Sequence, residues 1–175
     1  NGRTWRLKIE QGEGHKNYVW HLYDVFQNWV LTPPRVREVR VRGKIYKKVV
    51  FQTLSHPTFR FYAHQFYKNG RKVVPKLINR WLTPRNLAYW YMDDGSIKSL
   101  ESKAIIFNTQ GFFREEVAIL VGSLKTKFGF DCKERKQKEG WQIFVSGRSF
   151  DRVVEVIKPY LIESMIYKFP QPRLT

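Results

Sequence analysis

The chain has 175 residues, 42% hydrophobic and 16% aromatic, enough apolar material for one full core or two small halves. Thirty-two Lys and Arg against fifteen Asp and Glu give a net charge of +17, which makes nucleic acid the default partner and an anionic membrane surface the second. No apolar run approaches the ~20 residues of a membrane span. The single cysteine, Cys132, closes no internal disulfide and builds no zinc site with the four scattered histidines.

In chain order, Trp5, Leu7 and Ile9 alternate with Arg6, Lys8 and Glu10, predicting a half-buried strand with a cationic outer face. Tyr18, Val19, Leu22, Val25, Phe26 and Trp29 follow at helical spacing, stopped by Pro33-Pro34. Strands are predicted over 36–41 and 44–54 across a Gly43 turn, with Arg35, Arg37, Arg40 and Arg42 studding the first as a ladder suited to grooves and phosphates. His56-Pro57 opens a helix read as closing at Asn69-Gly70, and Lys72-Val73-Val74-Pro75 begins a link to Leu82.

Thr83-Pro84 is a hydroxyl N-cap followed by proline in the first turn, so a helix starts there and runs to about Asp94. Gly95 reads as its left-handed cap. A strand over 103–109, a helix over 113–128 with Glu115-Glu116 in its first turn, a hairpin of 130–136 and 141–146, and helices over 149–157 and 162–168 complete the chain. Tyr18, Trp20, Trp29, Phe59 and Trp90 read as core, Cys132 as a small half-buried strand residue, and His15, His21, His56 and His64 as structural or surface groups.

Two features carry chemistry. The first is the segment 87–95, LAYWYMDDG, an apolar helix ending in two carboxylates and a glycine. Carboxylates at a helix end are out of place on a phosphate-attracting surface unless a cation sits with them. The second is repetition. Both halves run strand, helix, strand pair, helix, then a lysine before proline, with Lys72-Val73-Val74-Pro75 in the place of Lys168-Phe169-Pro170.

These residues, with Leu82-Thr83-Pro84, Phe107-Asn108-Thr109-Gln110, Lys158-Pro159-Tyr160-Leu161, Met165-Ile166-Tyr167-Lys168 and the segment 29–34, resemble the LAGLIDADG homing endonucleases and maturases. The likeness covers essentially the whole chain and is nearest the two-motif monomers of organelle rRNA introns. It implies an α+β fold of two αββαββα halves with saddle-shaped antiparallel sheets, divided here as 1–82 and 83–175. It implies catalytic roles for Asp94, Lys72 and Lys168, with Asp94 as ligand to Mg²⁺. It implies nucleic-acid contacts from Arg35, Arg37, Arg40, Arg42, Lys44, Lys48, Gln52, Lys133, Arg135 and Gln142.

The first half departs from the pattern: no motif helix precedes it, and Asn1-Gly2 reads as a turn cut out of something longer. Asp93, adjacent on the same helix end, is expected to point elsewhere and not to replace the second acid. The apolar face of Leu87 and Tyr91 is expected to be exposed without its partner helix. That helix comes from residues outside this sequence, from a second chain, or has been lost with cleavage; this chain alone is expected to be inactive. Two functions stay open: a magnesium-dependent, site-specific DNA endonuclease or its one-acid derivative, and a non-catalytic RNA-binding maturase or organelle ribonucleoprotein component. Either predicts a mitochondrial or chloroplast setting and no membrane.

Overall fold

A computed structural model describes residues 5–170; the Asn1-Gly2 turn lies outside them. The chain divides into two compact units, Asn1–His64 and Gln65–Thr175.

In the first unit β1 (Lys8–Gly12), β2 (Arg35–Val41) and β3 (Lys44–Gln52) form an antiparallel sheet of order β1-β3-β2. α1 (Lys16–Phe26) buries Tyr18, Val19 and Leu22, and its Tyr23 ring meets Phe51 of β3 edge-on at 5.9 Å. The sheet face bearing Val49 and Phe51 therefore looks toward α1, and alternation sends Lys48 and Gln52 to the opposite face. Thr53 extends the ladder, its hydroxyl accepting from the Leu7 amide at 3.0 Å. α2 (Pro57–Phe66) begins in this unit and buries no residue fully.

The second unit opens on a hairpin of β4 (Tyr67–Lys68) and β5 (Arg71–Lys72). Asn69-Gly70, read from sequence as a helix stop, is its two-residue turn, with φ of 52° and 77°. Two successive positive φ values define a type I′ turn, which matches the strand twist and favours Asn-Gly. α3 (Ile78–Trp81) and α4 (Pro84–Asp94) follow, and the Thr83 hydroxyl accepts from the Asn86 amide at 3.2 Å as the N-cap predicted.

β6 (Gly95–Ile97), β7 (Ile105–Phe107), α5 (Arg114–Phe128), β8 (Cys132–Gln137), β9 (Gly140–Val145) and α6 (Phe150–Ile157) complete one αββαββα half from α4 onward. Its sheet order is β6-β7-β9-β8. Without β6 this is the order of the first unit, strand for strand, so the repeat seen in sequence is a repeat of topology. β6 had no counterpart among the predicted strands, and β7 is shorter than predicted. The last helix is a 3-10 helix, Glu163–Lys168.

The core of the second unit lies between its sheet and α4, α5 and α6, centred on Leu87, Tyr91, Phe107, Leu124, Ile143 and Ile157. Each such side chain withdrawn from water contributes about 1.5–3 kcal/mol. The α4 face expected to be exposed is thus covered: Leu87 and Tyr91 are both 0% exposed. Within their own half, Tyr91 meets Phe107 and Phe169 edge-on at 5.5 and 5.9 Å. Cys132 is buried, its thiol directed at the Val121 carbonyl. Trp20 and Trp29, predicted as core, are 44% and 38% exposed. Trp29 lies against His56 and Phe59 at the surface instead.

Gly95 is not a left-handed cap. Its φ of −82° and ψ of 153° are extended, open to any residue, and the chain passes straight from α4 into β6. Glycine is required by contact: a Cβ there would overlap the Tyr91 ring and the Tyr91 carbonyl. Gly95→Ala is expected to cost about 1–3 kcal/mol, as overpacking does, read as a drop in the urea midpoint. A variant as stable as the parent would contradict this packing.

Candidate active site and nucleic-acid interface

The carboxylate end of α4 is fixed by side chains from distant parts of the second unit. The last carbonyls of a helix lack partners within it and favour a cation. The Lys168 ammonium takes that role, donating to the carbonyls of Met92 and, at 3.2 Å, Asp93. Tyr91 returns the tie, its hydroxyl donating to the Lys168 carbonyl at 2.6 Å. Burial pushes the Tyr91 phenol pKa up, so it remains a donor. Lys168 is half-buried. Burial lowers its pKa below the ordinary lysine value, against the opposing pull of Asp93 and Asp94.

Asp94 is half-buried and Asp93 exposed, yet both line the same cavity of about 270 Å³. Lys72 lies on the same wall, with Trp81, Trp90 and Phe112, and its ammonium stands 5.6 Å from the centroid of the Phe112 ring. Lys72 thus shares a cavity with the two acids, and Lys168 bonds the main chain at the same helix end.

Lys72 is held through its neighbours. Glu116, in the first turn of α5, accepts from both Arg71 guanidinium nitrogens at 2.8 and 3.3 Å and from the Val74 amide at 3.2 Å. It also accepts from the Phe113 amide at 2.9 Å, closing the helix start. Arg71 lies 3.9 Å over the Phe113 ring. Burial raises the Glu116 pKa, but the bonds from Arg71, Phe113 and Val74 outweigh it and hold the carboxyl below its ordinary value. The sequence marked Glu116 as a helix-dipole acid and gave no hint of Arg71, 45 residues away.

A polar row crosses the second sheet beside Asp94. The Asn108 amide and side chain both donate to the Asp94 carbonyl at 2.9 Å, and Gln142 donates to the Asn108 side-chain oxygen at 2.7 Å. Arg135 stands opposite Gln142 in the β8–β9 register. Lys133 shares this face, away from the core, so Lys133, Arg135 and Gln142 lie on one face of the sheet. Asn108 was overlooked. Its signal was a polar residue directly ending the apolar run 104–107.

In the first unit the arginine ladder divides. Arg35 and Arg37 pair with Val50 and Lys48, on the face away from α1, with Lys44 and Gln52. Arg40 pairs with Ile45 on the opposite face, and Arg42 sits in the turn with φ of 49°. On the outer face Glu10 of β1 is clamped by Lys48 and Lys8 at 2.8 and 2.7 Å. Those bonds, Lys48 first, hold its carboxyl at about 2 against the effect of burial.

Among the described residues no three His, Cys, Asp or Glu side chains stand together as a metal cage. Magnesium does not need one, because it keeps several waters and takes one or two carboxylates plus substrate phosphate oxygens. Asp94, half-buried, lining one cavity with Lys72 and close enough to Lys168 to act on its charge, fits that sparse donor set. No described helix is long and apolar enough to cross a membrane.

Residues 1–153 match the model of the LAGLIDADG DNA endonuclease family. The chain belongs to that family. It is 33% identical to the probable intron-encoded endonuclease 1 of Wickerhamomyces canadensis over 88% of this chain and 69% of that protein. It is 30% identical to the cytochrome b mRNA maturase bI2 of Debaryomyces hansenii, over 95% of this chain and 65% of the maturase. The homing endonuclease I-WcaI, solved bound to its DNA recognition sequence, superposes with a TM-score of 0.90 at 29% identity, covering 95% of this chain and 76% of that one. I-DmoI, solved with DNA and Mn, shares the fold with a TM-score of 0.53 at 14% identity, over 90% of this chain and 82% of that one.

The LAGLIDADG helix of this chain is therefore α4, and its acid end shares a cavity with Val74, whose amide the Glu116 clamp holds. Glu116→Gln is expected to lower stability at neutral pH by about 1–3 kcal/mol, the loss from charge-assisted bonds to a part-buried carboxylate. Because the folded pKa lies below the unfolded one, this contribution is full above the unfolded value and fades as pH falls through the folded value. Urea unfolding of parent and variant, compared at neutral pH and at a pH below the folded value, should therefore converge at the lower pH. A gap that is the same at both pH values would refute the clamp.

Proposed function

We propose that this LAGLIDADG chain binds duplex DNA across the outer faces of its sheets and takes part in site-specific hydrolysis of a phosphodiester. The observation that carries this reading is the acid end of α4, where Lys168 bonds the Met92 and Asp93 carbonyls and Asp94 shares a cavity with Lys72. Asp94 would hold Mg²⁺, which when bound polarises phosphate oxygens and lowers the pKa of water. Lys168, anchored on helix carbonyls, keeps a positive charge beside the phosphate without needing to reorganise. Lys72, kept in place by the Arg71–Glu116 pair, offers a second such charge or a donor to the attacking water. The Asn108–Gln142 row holds the main chain of Asp94 and so limits where its carboxylate points.

The domains of this reading are the repeats 1–82 and 83–175, each ending near its lysine. By the family pattern a second acid comes from a first motif helix, here from outside residues 5–170 or from a second chain. The likeness to I-WcaI, solved on DNA, supports duplex DNA as the partner. The intron-encoded and cytochrome b maturase relatives support an organellar setting.

The maturase likeness also favours a second reading, in which the basic sheets bind structured RNA and Asp94 is retained without cleavage. The two separate on the intact gene product in a plasmid-nicking assay with magnesium. Endonuclease function predicts nicking that Asp94→Asn abolishes while DNA affinity stays within about twofold, since a phosphate contact is not removed. Tight DNA binding with no cleavage of any intron-type target overturns it. Co-purified intron RNA or rRNA then supports the second reading.

The faces of the first sheet give a further expectation. Arg37→Glu should weaken binding to all sequences and lower the salt slope by about one or more, because each neutralised phosphate releases counterions. Arg40→Glu, on the other face, should do so less. Equal losses would contradict the division of the arginines, with affinity measured over a salt series.

A further inference from the structure

The outer face of the first sheet carries one acid among the described residues. Glu10 lies on β1 in the cross-strand row Arg35, Val50, Glu10 that the two registers define. Its two oxygens accept from Lys48 and Lys8, and its side chain is 24% exposed. On a surface that attracts phosphate this acid works against affinity: the three groups together carry +1, where two lysines alone would carry +2. Nor does the sheet need it. The β1–β3 ladder is closed by main-chain pairing from Lys8 opposite Gln52 to Gly12 opposite Lys48. Partly exposed Lys–Glu pairs add little to stability.

A carboxylate brings what its neighbours lack. Lys8, Lys48, Arg35 and Arg37 only donate hydrogen bonds, whereas ionised Glu only accepts. In the major groove an acceptor on the protein reads an exocyclic amino group, cytosine N4 above all. After accepting from one lysine, each carboxylate oxygen retains a lone pair for such a group. The two lysines fix the carboxylate and offset its charge, so it approaches DNA without bare repulsion. Beside it on the strand, Gly12 faces Lys48, and a Cβ there would meet nothing within 4 Å. This is an open notch in which a base edge or backbone can come close.

We propose that Glu10, held between Lys8 and Lys48, is a base-reading residue that accepts a hydrogen bond from the amino group of a base, cytosine first, in the major groove of duplex DNA. It rests on the reading that this sheet face meets duplex DNA, and the test separates the two.

The intact gene product, parent and Glu10 variants, is taken through selection from randomised duplexes. Affinities are then measured for the selected duplex, for every single base-pair change in it and for random duplex, with thermal midpoints checking that each variant is folded. Glu10→Ala should lose about fivefold or more of discrimination at one base pair and leave the others unchanged. Glu10→Gln should move the preference at that pair from cytosine toward adenine, whose N6 and N7 an amide matches. It should also bind random duplex more tightly, with one negative charge gone. If the parent selects sharply and both variants keep its preference at every pair, or lose affinity evenly across all sequences, the proposal is overturned and the DNA reading stands. A parent that prefers no duplex over random overturns the DNA reading and the proposal with it.

Discussion

The carboxylate end of α4 is held by a single tyrosine acting in three ways. The Tyr91 ring fills the centre of the second unit's core, between Phe107 and Phe169. Its edge and carbonyl take up the space beside residue 95 and leave room for hydrogen alone. Its hydroxyl binds the main chain of Lys168, which brings the ammonium of that residue onto the helix carbonyls. Helix end, strand start and the Lys168 ammonium are thus set by one buried ring. The geometry around Asp94 inherits the rigidity of a packed interior, which tolerates little displacement.

Charge is arranged on a different principle. The chain is so basic that any outward face attracts phosphate, and net charge alone cannot decide where nucleic acid lies. What the structure adds is that several of its cations are held by acids. Lys48 and Lys8 are tied to Glu10, Arg71 to Glu116, and Arg114 to Glu134 at 3.0 Å. Among the described residues Glu10, Glu116, Glu134 and Glu155 each hold a base in this way. An oriented base contributes specificity where a freely moving one contributes only affinity.

Much of this was legible in the sequence where the signal is local. Thr83-Pro84 named the start of α4 because a hydroxyl cap and a proline act within one turn. The strand pair 35–52 and the pairing of Lys72 with Lys168 followed from alternation and repeat. Other signals were local but ambiguous. Asn69-Gly70 ends helices and makes hairpins, and only the antiparallel pairing of Tyr67 with Lys72 decides between them. Gly95 satisfies the usual rule for a helix end but obeys a contact instead, with a ring four residues back. The arginine ladder could have been resolved from its own numbering. The step from Arg37 to Arg40 is odd, and an odd step on a strand changes face. Trp20 and Trp29 kept the helical period of buried residues while lying at the surface. The bond from Gln142 to Asn108 and the Arg71–Glu116 pair were beyond reach, because these partners meet only after strands and helices distant in the chain have packed.

The polar row of the second sheet carries an evolutionary consequence. Arg135, Gln142 and Asn108 line up with Asp94 only in the observed register, and sliding β8 by one residue would turn Arg135 inward and bring a core-side neighbour out. That register is locked at its tip. Gly140, with φ of 142°, sits so close to the Gln110 carbonyl that no larger residue fits without movement. Lengthening the turn would slide the whole row out of line with the acid. Lineages descending from this protein are therefore free to acquire new targets by exchanging side chains along β8 and β9, and are barred from doing so by inserting residues where those strands meet.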